Sequence, residues 1–362
     1  MIFCSRLLRV PLGPLYPFEG GLPRPPGVRP VDAVNVVVTS PVGEEGLDRI
    51  GSVRSNVRVL DASAMLTLSG GVPVEPQDAS VKARLDAMLA EAEIIYGFIP
   101  GNIMARAPNL KWINAPSAGV DRFLAPDVVA SPVILTNSRG IHPVQVGEMA
   151  FEMILMLAKK APFLFRMKER REWHRVVPDI LRGRTLAVLG LGAIGMEVAR
   201  LGKAFGMRVI ALDVRGMDPH EDVDALFPPS ALKEVLSQGD YVVVSLPLTG
   251  QTRDLIGGKE LLSMKRTACL VNIARGGIVD EDALVRALKE EQIAGAALDV
   301  FATEPLPPQS GLWDLPNVII SPHVAGIRQD YTVLAVDLFC ENLRRYLDGW
   351  EMLNVVDKEK GY

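Results

Sequence analysis

The chain has 362 residues, 48% hydrophobic and 23% charged, a globular composition with enough length for two domains. Its 39 Lys and Arg against 43 Asp and Glu leave a formal net charge of −4, so the basic excess of a general nucleic-acid binder is missing. Cys4, Cys269 and Cys340 are widely spaced and form no CxxC pair, which argues against a disulfide framework or a zinc knuckle and suits a reducing cytoplasm.

Residues 1–32 carry Arg6, Arg9, Arg24 and Arg29 among repeated prolines. Pro11 and Pro14 break any signal-peptide core, and the prolines oppose an amphipathic transit helix, so this stretch reads as a disordered extension. Short apolar runs then predict strands at 34–39, 57–59, 94–96, 112–114 and 133–135, with a helix over 81–92 among them. A single long helix is expected over 146–172; Glu148, Glu152, Lys159 and Lys160 interrupt its apolar part, so no membrane span is expected. A second series follows, with strands at 185–189, 208–212, 241–245, 269–272, 294–298 and 318–320 and helices at 193–205, 230–237 and 281–289. Strand–helix alternation predicts parallel sheets covered by helices, and this second block is a doubly wound unit by itself. Residues 331–347 have apolar positions at helical spacing and can return the chain to the first block.

Gly190-Leu191-Gly192-Ala193-Ile194-Gly195 is a GxGxxG between a predicted strand and helix, and Asp213 closes the next strand. That context reads as a dinucleotide site. Gly190 permits the tight turn, Gly192 lets a pyrophosphate approach, and Gly195 lets the helix pack on the strand. The helix N-terminus then offers N–H groups to phosphate. Asp213 is placed to accept from ribose hydroxyls and to repel a 2′-phosphate, so NAD is expected over NADP, with Arg215 read as a surface charge.

Polar residues follow three later apolar strands, where a core would not want them. Arg275 ends Asn272-Ile273-Ala274-Arg275 and can hold a carboxylate bidentately. Asp299 and Glu304 follow the strand at 294–298. His323 is the one histidine of four that directly follows an apolar strand at a ligand-binding edge. Reducing a 2-oxo acid needs a cation for the carboxylate and a proton donor titrating near neutrality, which is histidine's range. A carboxylate partner would orient the imidazole and favour its charged form, and Glu304 is the candidate. Each residue alone has a structural reading: a surface arginine, a strand-end turn, a core histidine.

Together these segments resemble the D-isomer-specific 2-hydroxyacid dehydrogenases: GLGAIG at 190–195, NIARGGIVDEDAL at 272–284, ALDVFATEPLP at 297–307, SPHVAG at 321–326 and SAGVD at 117–121. The resemblance runs from about residue 34 to the C-terminus. It implies two doubly wound parallel-sheet domains, a Rossmann-type NAD-binding domain at 139–326 inserted in a flavodoxin-like substrate domain formed by 33–138 and 327–362. It implies Arg275, Glu304 and His323 as the catalytic set, with the backbone of Ala118 and Gly119 joining Arg275 on the substrate carboxylate. Cofactor positions implied are Gly190, Gly192, Ala193, Ile194, Gly195, Asp213, Leu246, Pro247, Ile273, Ala274, Asp299, His323 and Gly326, with no metal. A cytoplasmic homodimer acting on a glyoxylate-, hydroxypyruvate- or pyruvate-like acid is expected. Glu304 stands where formate dehydrogenases of the superfamily have glutamine, which disfavours that activity. Gly147 and Met149 depart from the family's usual Ala-Glu-His-like hinge sequence. The same three residues also occur in NAD-sensing corepressors, an interaction-protein alternative, and a phosphoglycerate- or phosphite-type dehydrogenase would keep the chemistry and change the substrate.

Overall fold

The apolar runs condense into two parallel sheets in a computed structural model that describes residues 33–69, 72–214 and 220–362. The first half contains β1 (Val34–Val38), α1 (Gly43–Gly51), β2 (Val57–Asp61), a β3–β4 hairpin (Thr67–Ser69 and Val72–Val74) and α2 (Ala79–Ala90). It continues through β5 (Ile94–Tyr96), α3 (Ile103–Arg106), β6 (Trp112–Ala115), α4 (Pro126–Val129) and β7 (Ile134–Asn137). Apart from the hairpin, its strands form one parallel sheet in the order β2-β1-β5-β6-β7. That is the 2-1-3-4-5 order of flavodoxin-like sheets.

Next come α5 (Pro143–Ala158) and α6 (Ala161–Arg170), then β8 (Thr185–Leu189), α7 (Ala193–Ala204), β9 (Arg208–Leu212) and β10 (Ala225–Phe227). The series ends with α8 (Leu232–Gln238), β11 (Tyr241–Val244), α9 (Gly258–Ser263), β12 (Cys269–Asn272), α10 (Glu281–Lys289), β13 (Gly295–Leu298) and β14 (Val318–Ile320). The second sheet has the order β10-β9-β8-β11-β12-β13-β14, the Rossmann order with a seventh strand added. Strands β8, β11, β12 and β13 are buried along their whole length, as both faces are helix-covered.

α11 (Tyr331–Asp348) returns to the first sheet, where Val336, Phe339, Cys340, Leu343 and Leu347 share a core with Val34, Val36, Ile94, Tyr96 and Trp112. Trp112 stacks on Phe339 at 4.9 Å between ring centroids. Burying each such ring contributes about 1.5–3 kcal/mol. Gly349, at φ 72°, ends the helix in the left-handed conformation that suits glycine. Beyond it Val356 N–H donates to the Leu135 carbonyl, extending the edge at β7.

The single helix expected over 146–172 is two. Lys160 adopts a left-handed conformation (φ 59°) and Pro162 stands in the first turn of α6. A proline there has no N–H to continue α5, and its ring would clash with the Ala158 carbonyl four residues back. The hairpin and β10 were not anticipated; each strand has only three residues, too few for a periodic signal. The extension at 1–32 and Arg215 lie outside the described residues.

Candidate active site

Because the second sheet is parallel, its strands present their carboxyl ends at one edge. Leu212, Leu189, Val244, Asn272, Leu298 and Ile320 pair in one row across it. The loops leaving this row, with the first turn of α7, carry all the positions singled out by sequence in that half.

After β8, Gly190 has φ 97°, and a Cβ added at Gly195 would fall on the Gly190 carbonyl oxygen. Glycine at both positions therefore sets the close approach of α7 to β8. Gly192 is the N-cap of α7 without any side-chain cap, and a Cβ built on it meets nothing within 4 Å. The first turn of α7, including Ala193 and Ile194, thus fronts open space with helix N–H groups suited to a phosphate. Asp213 follows β9, is 8% exposed, and accepts from the Leu191 N–H at 2.7 Å. Ser245 after β11 donates to the Gly190 carbonyl at 2.7 Å, and Leu246 packs over the same turn. Pro247 is exposed, with its carbonyl held by the Thr252 hydroxyl at 2.6 Å. These features fit a dinucleotide.

Asp299, 1% exposed, accepts from the Ser321 hydroxyl (2.6 Å), the Val324 N–H (2.9 Å) and the Ala325 N–H (3.0 Å). Its own carbonyl accepts from the His323 N–H at 2.8 Å. Such donors offset the desolvation of a buried carboxylate, and here they tie the loop after β14 to β13. Within that loop His323 is held at φ 54°, the left-handed region uncommon outside glycine but more accessible to His, Asn and Asp than to other side chains. Its Nδ1 lies 2.7 Å from Glu304 Oε2, and Glu304 Oε1 accepts from the Phe301 N–H at 3.0 Å. Burial alone would push the Glu304 carboxyl up. The hydrogen bonds from His323 and the Phe301 amide, with the charges of His323 and Arg275, outweigh it and hold the carboxyl below the usual range. With Nδ1 engaged by the carboxylate, Nε2 remains for a proton exchange partner.

Ile273 is buried beyond β12, and the Asn272 side chain braces the next turn, accepting from the Ala274 N–H and donating to the Arg275 carbonyl. Arg275 reaches across to the first half. Its Nε donates to Asp121 Oδ1 at 3.1 Å, its Nη1 to the Ala274 carbonyl at 2.8 Å, and its Nη2 lies against Gly119, where any Cβ would overlap it. The 117–121 loop turns its carbonyls inward: Gly119's accepts from the Ser117 hydroxyl at 2.8 Å and Ala118's from Asn137 Nδ2 at 2.7 Å. The amide N–H groups of Ala118 and Gly119 take no protein partner among the described residues. A guanidinium thus lies against a loop whose two amides are unbonded among the described residues, groups able to hold a carboxylate.

Gly326 sits against the His142 ring, which meets Tyr331 edge-on at 5.6 Å. The Tyr331 hydroxyl donates to the Pro116 carbonyl at 2.9 Å, linking this seam to the 117–121 loop. Burial, then Arg328 and Arg275, push the His142 ring below its ordinary value, and its Nδ1 is buried with no partner among the described residues. Asp121, His142, Ser245 and Asn272 were missed from sequence. Asp121 lies inside the SAGVD match and carried a usable signal; the others take meaning only from what they touch.

Residues 151–325 match the model of the D-isomer specific 2-hydroxyacid dehydrogenase NAD-binding domain. A glyoxylate reductase of Aeropyrum pernix is 36% identical over 283 residues, covering 74% of this chain and 84% of that one. A D-3-phosphoglycerate dehydrogenase of Methanocaldococcus jannaschii is 30% identical over 90% of this chain and 59% of its own length. Among solved structures, a D-isomer specific 2-hydroxyacid dehydrogenase of Xanthobacter autotrophicus in complex with NADPH and MES superposes with a TM-score of 0.77 at 30% identity, covering 92% of this chain and all of that one.

Proposed function

Because the chain belongs to the D-isomer specific 2-hydroxyacid dehydrogenase family, we propose that it interconverts a small 2-oxo acid, of the glyoxylate, hydroxypyruvate or pyruvate kind, with its 2-hydroxy acid, the D-isomer where the product is chiral. The observation that carries this reading is the meeting of Arg275 from one sheet with the Ala118–Gly119 loop of the other, beside the His323–Glu304 pair. Arg275 and the two amides bind the substrate carboxylate. His323, oriented by Glu304, delivers a proton to the carbonyl oxygen on reduction and takes the hydroxyl proton on oxidation. The bound dinucleotide supplies or accepts the hydride. Gly190, Gly192, Ala193, Ile194 and Gly195 would hold its phosphates and Asp213 its ribose, with Leu246, Pro247, Ile273, Ala274, Asp299 and Gly326 around the remainder.

NAD is favoured over NADP on the charge of Asp213. The division into a substrate domain (33–138 and 327–362) and a dinucleotide domain (139–326) follows the two sheets and the return of α11. A homodimer is supported by the exposure of Trp173 (93%) and Val177 (89%), with Leu164, Phe165 and Ile180, on one stretch beside the second sheet. A cytoplasmic setting is supported by Cys269 and Cys340, both buried and free. The phosphoglycerate dehydrogenase relative favours keeping a phosphorylated acid as a second reading.

The test is a panel of glyoxylate, hydroxypyruvate, pyruvate and 3-phosphohydroxypyruvate with NADH and with NADPH. Turnover of at least one unphosphorylated acid, faster with NADH, is expected. In His323→Ala, kcat should fall about 10²–10⁴-fold while NADH affinity holds. A flat panel from protein that binds NADH overturns the reading.

A further inference from the structure

Arg275 cannot bind a carboxylate with any face it happens to present. A guanidinium carries five N–H donors in a rigid fork, and only the edges offering two parallel N–H groups match a carboxylate. On a flexible stem its loss of rotamer freedom opposes binding unless something already holds it. Two acceptors hold it here. The Ala274 carbonyl, 2.8 Å from Nη1, fixes the base of the fork from its own strand end. Asp121 Oδ1, 3.1 Å from Nε, fixes its side from the other half of the molecule. The two contacts leave Nη2 against Gly119, next to the Ala118 and Gly119 amides, which take no partner among the described residues.

We propose that Asp121 is a positioning residue: by engaging Nε it turns the Nη1–Nη2 edge of Arg275 toward the anion site formed with the Ala118 and Gly119 amides. The inference deepens the function proposed above and rests on it. Asp121 does not itself meet the substrate. Its location suits the task, because it begins the short turn 121–123 that directly continues the amide loop. The carboxylate and the amides therefore move as one piece, and the guanidinium is aligned to the loop that must share its ligand. An opposing effect exists, since the negative charge of Asp121 repels an anionic substrate. The two effects act on KM in opposite directions, and Asp121→Asn, which removes the charge but keeps an acceptor oxygen, separates them.

Asp121→Ala and Asp121→Asn are compared with the unaltered protein for KM and kcat with the best acid of the panel. The Kd of oxamate, an unreactive 2-oxo-acid mimic, is measured on the protein·NADH complex, and the Kd of NADH alone is measured beside it. Asp121→Ala should raise both KM and the oxamate Kd about tenfold, the scale of one charge-assisted hydrogen bond, with kcat and NADH Kd within about threefold. Asp121→Asn keeps an acceptor oxygen and should recover a good part of that loss. Unchanged or tighter oxamate binding in Asp121→Ala overturns the positioning role and leaves the proposed function standing. Parallel loss of NADH binding overturns it too, since that is a structural defect. Failure of the unaltered protein·NADH complex to bind oxamate or turn over any acid overturns the proposed function, and this inference with it.

Discussion

His142 lies against Gly326, in the same loop as His323, and the two histidines differ in what surrounds them. His323 has a carboxylate at 2.7 Å. His142 has the Tyr331 ring, Gly326 and two guanidinium groups, Arg328 and Arg275, and its Nδ1 has no partner among the described residues. Removing an imidazole from water and placing it near positive charge both disfavour the protonated form. The folded protein therefore holds His142 neutral below its ordinary 6.5, whereas the unfolded chain takes up the proton there. Since the unfolded state then binds more protons, stability must fall as pH drops from about 7 toward the lower folded value. A His142→Phe variant, which keeps an aromatic ring against Tyr331, should show a shallower decline of Tm between about pH 7 and 5. Parallel Tm–pH curves for the two proteins would remove His142 from the account.

The junction of β8 with α7 shows how a motif becomes a geometry. Gly195 stands in the first turn of α7, and the space its side chain would fill is occupied by the Gly190 carbonyl. Gly195→Ala must push the helix from the strand and tilt its N-terminus away from the phosphate position. The expected cost is about 1–3 kcal/mol of stability, the range for overpacking, with a larger proportional loss in NADH affinity. Urea denaturation with an NADH titration reads both, and unaltered affinity would sink the argument. This junction was legible in sequence because its signal is local: spacing of glycines between a strand and a helix. The break between α5 and α6 was less so. Apolar periodicity runs through both helices, and only Pro162 with the left-handed Lys160 reveals the turn.

At the scale of the molecule, the chain crosses between sheets twice, after β7 and before α11. Ile141 from the first crossing packs with Ala335 and Leu338 of α11. Arg328 from the second donates to the Ile141 carbonyl at 3.2 Å, so the crossings brace each other. The apolar run at Trp173, Val177 and Ile180 is exposed and uncovered among the described residues, and a second copy is the covering proposed for it. Sedimentation should show a dimer, and Trp173→Glu with Ile180→Glu should shift it to monomer; a monomer from the unaltered protein would reject the idea. The alternation of strands and helices, the glycine turn and the acidic, arginine and histidine positions after strands were all decided by sequence, because each depends on neighbours within about a dozen residues. Which of them meet was decided by tertiary structure alone. Strand order put Asn272, Leu298 and Ile320 in one row, so that residues 275, 304 and 323 leave the same edge. The close approach of Asp121 to Arg275, 154 positions apart, follows from how two separately wound sheets face each other, which no local spacing encodes.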